Sequence, residues 1–592
     1  MKALWHINKY FYRYKWRFIL GFFFVIISNL FAIYPAQFTR DIIDKVRDAM
    51  ANNHDKSPEE LLATLKDPLL YYFIAVVVFF LLKGIFLFLM RQTIIVMSRL
   101  IERDLKNEVF EQYEKLDLAF YKRNNTGDIM NRISEDVSRV RMYIGPAIMY
   151  SLNLAALFVL VIVTMLSVNV KLTLYALLPL PIMAISIYYV SNIINKQSEL
   201  VQEQQSKLST FVQEAFSGIR VLKSFVREEQ SSADFDRENK FYRKKSIRLA
   251  TINAIFFPLI IVLIGLSTLI TIYVGGIQVI KGQITMGNIA EFIIYINMLT
   301  WPFAAVGWVT SLVNRAAASQ VRINEFLHTE SEIKSPADGM TEMVPKITFD
   351  KVSFVYPDSK VMALNNVSFQ VEEGKSLAIL GRTGSGKSTI ANLLARMYDT
   401  TSGKICIGKY DIRTLDLGAL RSNIGMVPQD VFLFSDTIAN NIAFGLKDLD
   451  RNNKDLIEKA AKDAAIHSNI MEFPEGFETK VGERGITLSG GQKQRISIAR
   501  AIIKKPKILV FDDCLSAVDT QTEEDILNNL KDIMNNRTTV IISHRVSSVK
   551  NADHIIFLES GSIVEEGTHQ QLIEKQGHYY SLYEKQLLEE EA

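Results

Sequence analysis

The sequence predicts a multi-domain fold: a six-helix α-helical transmembrane domain followed by an α/β domain. Three observations predict it. Long apolar runs crowd the first ~320 residues, while the remainder alternates short apolar runs with polar turns. Six of the early runs are long enough to cross about 30 Å of hydrocarbon at about 1.5 Å per residue. Later, a glycine-rich loop from Gly381 stands between a buried strand pattern and a helix pattern.

A chain of 592 residues exceeds one ordinary core, so at least two domains are expected. We place the boundaries at 1–325 for the membrane domain, 326–345 for a linker and 346–592 for the α/β domain. A net charge of +3 gives no case for nucleic acid as a partner. Cys406 and Cys514 both fall in the second half. They form no disulfide framework and fit a reducing compartment there. Lys9, Arg13, Lys15 and Arg17 precede an apolar stretch from Phe18 to Tyr34. That stretch is longer than a cleaved signal core and lacks a small-residue cleavage site, so it reads as a retained first span.

The six runs lie near 18–38, 69–90, 144–168, 171–191, 254–280 and 288–312. The third and fourth are split only by Asn169-Val170-Lys171 and form a hairpin. Stretches 91–141 and 196–248 each carry about ten Lys or Arg, whereas short loops three and five carry one or two. The positive-inside rule makes the long basic stretches and the N-terminus cytoplasmic. The first outer loop is less clean, with five Lys/Arg among seven acids. Both basic stretches lack Pro and read as helices that continue the spans. Turn-like segments interrupt them at Phe120–Asp128 and Gln213–Arg220. Lys83 inside the second span is either a functional cation or one that snorkels to the nearby interface.

In the second half, Ile347–Tyr356, Val367–Val371 and Ser376–Leu380 read as strands. The last runs into Gly381, Arg382, Thr383, Gly384, Ser385, Gly386, Lys387, Ser388 and Thr389, and then a helix. Strand, loop and helix in that order make a phosphate cradle: glycines turn backbone N–H groups inward and the helix N-terminus adds positive potential. The fold is thus an α/β P-loop nucleotide-binding domain. Lys387 is expected on the β/γ-phosphates and Ser388 on Mg²⁺. Ile508–Phe511 ends in Asp512, which reads as a metal-holding carboxylate at a strand tip.

At this point the chain resembles the ATP-binding cassette (ABC) exporters over essentially its whole length. The resemblance implies further roles. Tyr356 stands where the family stacks adenine. Gln429 matches the Gln that meets Mg²⁺ and the attacking water, and His544 the switch histidine that reaches the γ-phosphate. Ser489, Gly490, Gly491 and Gln492 form the signature, which completes an ATP site on another cassette. Thr479–Gly485 and Ser516–Asp519 resemble the loops that communicate between sites. The segments at Phe120–Asp128 and Gln213–Arg220 resemble coupling helices. ATP and Mg²⁺ are the implied cofactors, and a second half-transporter chain the implied partner.

One position departs from the family pattern. Active sites of the family carry Glu after the metal-binding Asp, and this chain carries Asp513. Its carboxylate reaches about 1 Å less, a displacement that can cost on the order of 100-fold in rate. The substitution resembles one subunit of the heterodimeric bacterial multidrug exporters, so a heterodimer is favoured over a homodimer in which Asp513 serves adequately. The expected function is ATP-driven export, or leaflet flipping, of amphipathic compounds from an inner membrane. The alternative is a regulatory or gating subunit with little turnover. Asn253, Phe256, Phe257, Tyr295, Asn297, Trp301 and Trp308 are candidate walls of the substrate path.

Overall fold

A computed structural model of the protein describes residues 2–52, 58–446, 450–482, 488–514, 520–534 and 536–591. The chain forms two compact units, residues 1–113 with 127–328, and residues 114–126 with 329–592. The short segment 114–126 therefore belongs to the nucleotide unit, although it is enclosed in sequence by the membrane unit.

In the first unit, six helical stretches have the length and apolarity to cross a membrane. They are α1 (Lys15–Asn52), α2 (Glu59–Lys115), α3 (Thr126–Val168), α4 (Val170–Ser217), α5 (Glu228–Ile280) and α6 (Met286–Leu327). Each extends beyond its apolar run, as expected where charged helical arms continue a span. The α3–α4 hairpin turns on Asn169. Its backbone is extended and its side chain accepts from Leu172 N at 2.8 Å, capping α4. α6 begins with a capping box between Thr285 and Asn288. Asp44 of α1 reinforces that end by accepting from Gly287 N at 2.9 Å.

The interior of the unit is largely apolar, and one of its buried polar networks centres on Glu291. Glu291 is fully enclosed. It accepts from Tyr295 Oη at 2.8 Å, from Arg40 Nη1 at 3.3 Å and from Asn288 Nδ2 at 3.3 Å. This network ties α1 to α6. It also accounts for Tyr295, which is buried within it and is no wall of an open path. Trp308 packs edge-on against Tyr150 with centroids 5.3 Å apart. Asn253, Asn297 and Trp301 are exposed, Phe256 packs against the core of the unit, and the side chain of Phe257 lies outside the described residues. Lys83 lies over the Phe80 ring at 5.9 Å.

The second interruption sits further along the chain than the pattern suggested. α4 runs through Gln213–Ser217, and Gly218 ends it. The separate short helix is Ile219–Ser224, closed by a turn in which Val226 has φ 50°. Glycine at 218 stops the long helix, whereas Gln213–Phe216 continue it. In the first interruption the short helix is Leu118–Arg123, with Asp117 accepting from Phe120 N at 3.0 Å.

The nucleotide unit contains two sheets. A 4-stranded antiparallel sheet has the order β2-β1-β4-β5, with β1 Ile347–Val355, β2 Met362–Val371, β4 Ser402–Ile407 and β5 Tyr410–Asp411. A 6-stranded sheet has the order β10-β9-β3-β8-β7-β6. Its strands are β3 Ser376–Gly381, β6 Ile424–Val427, β7 Ile508–Asp512, β8 Thr538–Ile542, β9 His554–Glu559 and β10 Ser562–Gly567. Within it, β9, β3, β8, β7 and β6 are parallel. Leu377 and Ile379 join one hydrophobic cluster while Ala378 and Leu380 join another. Both sheet faces are therefore buried, as parallel strands require.

The buried network generates a test. Glu291→Ala leaves Arg40, Tyr295 and Asn288 without their shared acceptor, which should cost about 3 kcal/mol. The expected result is a lower Tm for the detergent-purified protein, with Glu291→Gln losing less. Equal Tm for Glu291→Ala and the parent would show that the network does not hold α1 to α6.

Candidate functional site

The site is assembled from the carboxyl ends of adjacent parallel strands. β3 ends at Gly381 and leads through the glycine-rich loop into α7 (Lys387–Leu394). The loop needs glycine where it folds back. Gly386 has φ 100°, and a Cβ there would stand 2.3 Å from Ala363 O. Gly381 is pressed against Leu558 O, which a Cβ would approach to 2.1 Å. The loop therefore exposes Arg382, Thr383 and Gly384 while burying Ser385.

Lys387 folds over its own loop, donating from Nζ to Gly381 O at 2.7 Å and Arg382 O at 3.0 Å. Burial lowers its pKa, and the charges of Asp513 and Asp512 pull it back up. The Ser385 hydroxyl is buried without a hydrogen-bond partner among the described residues. A buried polar atom of this kind costs stability unless a ligand or water satisfies it. Together with the ammonium and the inward loop, it fits a nucleotide's phosphate chain.

β7 delivers two carboxylates. Asp512 ends the strand and accepts from Ser388 Oγ at 2.9 Å. Burial raises the Asp512 pKa, opposed by the Ser388 hydrogen bond. A hydroxyl and a carboxylate facing each other are hard oxygen donors, which suit Mg²⁺. Asp513 follows with φ 49°, its N–H bonded to Ile542 O of β8 at 2.9 Å. That turn brings its carboxylate between two neighbours. His544 Nδ1 lies 2.8 Å from Oδ1, and Gln429 Nε2 donates to Oδ2 at 3.2 Å. Burial raises the Asp513 pKa, with His544 the leading opposing influence. Gln429 follows β6 and His544 follows β8, so residues from three strand ends meet at one carboxylate.

Tyr356 lies beyond β1 and is tied to the phosphate loop's helix by a 3.1 Å hydrogen bond to the buried Thr389 hydroxyl. Tyr398 meets its ring edge-on at 5.6 Å, and Lys122 Nζ stands 5.2 Å over it. Lys122 went unremarked in the sequence. It belongs to segment 114–126, and nothing local to that segment signals a position beside Tyr356.

The signature residues sit apart in function. Ser489 caps α8 (Gly490–Ile502), its hydroxyl accepting from Gln492 N at 3.2 Å while Gln492 Oε1 accepts from Ser489 N at 2.9 Å. Ser489 and Gly490 are exposed and Gly491 is buried. The result is an accessible helix N-terminus with an anion-favouring end. Ser516–Asp519 and Glu483–Gly485 lie outside the described residues.

A membrane helical unit joined to such a nucleotide unit defines an ATP-dependent membrane transporter. Residues 18–303 match the family description "ABC transporter transmembrane region", and residues 364–516 match "ABC transporter". The chain belongs to the ABC transporters. It is 38% identical over 484 residues to the uncharacterized ABC transporter ATP-binding protein YknU of Bacillus subtilis (strain 168), covering 81% of this chain and 82% of that protein. It is 37% identical over 487 residues to the multidrug resistance-like ATP-binding protein MdlA of Escherichia coli (strain K12), covering 82% of each. An ATP-dependent lipid A-core flippase of Syntrophus aciditrophicus (strain SB) is 33% identical over 524 residues, covering 88% of this chain and 86% of the flippase. Among solved structures, a bacterial Atm1-family ABC exporter with ATP bound superposes with a TM-score of 0.76 at 27% identity. That match covers 97% of this chain and 98% of the exporter. The protein is a multi-pass membrane protein that binds and hydrolyses ATP to drive export.

Two substitutions separate binding from turnover. Lys387→Ala removes the phosphate-facing cation and should abolish labelling by an ATP photoprobe. His544→Ala removes a partner of Asp513 and should leave labelling near parental while lowering ATPase by about 100-fold. Parental labelling of the Lys387 variant would refute the placement of the phosphate loop.

Proposed function

We propose that this chain is one half of a two-chain exporter that moves amphipathic or hydrophobic compounds out of the inner leaflet of the cell membrane. Its nucleotide unit and N-terminus face the cytoplasm. The observation that carries the hydrolytic part is the meeting of Gln429 and His544 on Asp513, beside the Ser388–Asp512 pair. In this reading Tyr356 stacks adenine, and residues 381–389 hold the phosphates, with Lys387 exchanging its loop carbonyls for phosphate oxygens. Ser388, Asp512 and Gln429 would hold Mg²⁺, which would neutralise charge on the phosphates. Asp513 orients the attacking water and accepts its proton. His544 donates toward the γ-phosphate and holds Asp513 in place.

Two features support a second chain. The signature's capped helix end, Ser489–Gln492, presents an accessible anion site that completes a nucleotide held by another cassette. The tip of the membrane unit is unusually greasy: Phe216, Val221, Phe225 and Val226 are each more than 60% exposed. A cluster of this kind is a docking surface rather than a solvated loop. The relatives described as a multidrug resistance-like protein and as a lipid A-core flippase support a hydrophobic or lipidic cargo.

Asp513 favours a heterodimer, in which this chain lends its signature to a partner's faster site. The same residue favours the second reading, a regulatory subunit with little turnover of its own. One experiment separates them. Steady-state ATPase is measured on the chain alone and on the co-purified pair, with composition checked by mass. The heterodimer reading expects slow hydrolysis alone, a rise on Asp513→Glu, and loss of most activity of the pair on Ser489→Arg. Asp513→Ala in the pair should cost much less. A lone chain that turns over briskly and loses nearly everything on Asp513→Ala would defeat it. A pair that never hydrolyses ATP would leave the regulatory subunit.

The exposed tip gives a further expectation. Phe216→Ala and Phe225→Ala should spare ATP photolabelling while lowering substrate-stimulated ATPase in reconstituted vesicles. Unchanged stimulation in both variants would count against docking by this tip.

A further inference from the structure

The fourth and sixth helical stretches carry polar residues at helical spacing where their apolar runs end. On α4, Tyr188, Asn192 and Asn195 recur at i, i+4 and i+7. On α6, Val306 is followed by Asn314 and Arg315. These side chains, all of them exposed, line one open pocket of about 500 Å³ in the membrane unit. The volume lies in the range of about 300–1,000 Å³ typical of small-molecule sites. The lining is divided by chemistry. Tyr188 and Val306 present apolar surface, and the two helices pack closely at Gly307, where a Cβ would stand 3.1 Å from Ser191 Oγ. Asn192, Asn195, Asn314 and Arg315 supply hydrogen-bonding groups.

The charge balance is one-sided. Arg315 is the sole side chain of the lining charged at neutral pH, since the lining includes no Asp, Glu, His or Lys. Among the described residues Arg315 makes no ion pair. A guanidinium stays protonated at any working pH and presents five N–H donors in a fork that matches carboxylate, sulfate or phosphate oxygens. The neighbouring amides can donate to the remaining oxygens. A cationic compound of equal greasiness would meet a like charge and no acceptor of full charge.

We propose that this cavity selects amphiphiles with an anionic head group, Arg315 pairing with the head and the Tyr188–Val306 side receiving the hydrocarbon. The proposal rests on the export reading above and names its substrate class. It also places this cavity at the end of the spans from which the charged arms continue, where an inner-leaflet amphiphile carries its head.

The test uses the full-length transporter, with its partner chain if one co-purifies, in a neutral maltoside detergent. Fluorescence titration compares dansyl-undecanoate with a dansyl-undecyl trimethylammonium of the same tail. The anion should bind about tenfold more tightly than the cation, the scale of a charge-assisted contact. Arg315→Gln should remove most of that preference, and Arg315→Lys should keep part of it. Asn192→Asp, which places an acid in the same cavity, should shift the preference toward the cation and serves if the Arg315 variants fail to fold. Equal affinities in the parent, or a preference that neither Arg315→Gln nor Asn192→Asp moves, would overturn the proposal. Competition with laurate and with lysophosphatidate identifies a free fatty acid or a phospholipid as the source of the anion, and displacement by neither overturns it. In proteoliposomes, ATP-driven movement of the cationic probe without anion preference would sink this inference and leave export standing. Anion-selective binding without ATP-driven movement of any probe would instead sink the export reading.

Discussion

The geometry of the nucleotide unit rests on the parallel register of four neighbouring strands. β3 pairs with β8, β8 with β7, and β7 with β6, all in the same direction. Parallel strands present their carboxyl ends along one edge, so whatever follows each strand is delivered to one crevice. The glycine-rich loop follows β3, His544 follows β8, Asp512 and Asp513 close β7, and Gln429 follows β6. The ladder continues into the site: Asp513 N donates to Ile542 O, and Ser543 N donates to Ile379 O at 3.2 Å. With both faces of the sheet buried, these ends are held as rigidly as the core behind them. That rigidity lets an aspartate, short as it is, keep contact with Gln429 and His544 together.

The same rigidity fixes an electrostatic mismatch. Burial raises the pKa of both Asp512 and Asp513 and lowers that of Lys387, so each charged form is under pressure. Lys387 satisfies itself with loop carbonyls, and the Ser385 hydroxyl goes without. Polyanionic phosphate answers these deficits, because it offers acceptors to the ammonium, the hydroxyl and the loop N–H groups at once. Binding is thereby favoured through the protein's own unmet hydrogen bonding. Cleavage of the phosphate chain divides the acceptor between two products and weakens that match.

Local chemistry was legible in the sequence where one segment makes its own site. The strand, glycine loop and helix from Ser376 to Leu394 could be read from residues alone, as could Asp512 at a strand tip. The six spans were legible because hydrocarbon imposes length and apolarity on each independently. The meeting of Gln429, Asp513 and His544 was different. These positions are separated by up to 115 residues (544 − 429), and strand order alone brings them together, so resemblance supplied what spacing could not. Two kinds of reading failed for physical reasons. Gln213–Phe216 looked like a loop, yet helix propensity carried α4 on to Gly218. Tyr295 looked like an aromatic wall, yet its hydroxyl is needed by the buried Glu291. The stripe Tyr188, Asn192, Asn195 was visible at helical spacing, but it sits where a span meets its charged arm, and polar residues there pass as interfacial.

The allegiance of residues 114–126 to the nucleotide unit was foreseen only through the resemblance of Phe120–Asp128 to a coupling helix. A segment so short has little core of its own, and it takes its core from the nucleotide unit. Ala119 is buried in that unit's hydrophobic cluster. Asp117 accepts from Ser331 Oγ at 3.0 Å and Glu332 N at 2.6 Å, and Arg123 pairs with Glu332 at 2.8 Å and Asp358 at 3.0 Å. The exposed ion pairs among these contribute little individually. Burial and capping carry most of the attachment, and the charged contacts set its register. Lys122 adds a contact of another kind, over the rings of Tyr356 at 5.2 Å and Tyr398 at 5.7 Å. Such a contact contributes about 0.5–2 kcal/mol according to how dry it is. The segment that continues a membrane helix is therefore bound at the Tyr356 ring, whose hydroxyl also meets Thr389 on the helix after the glycine-rich loop.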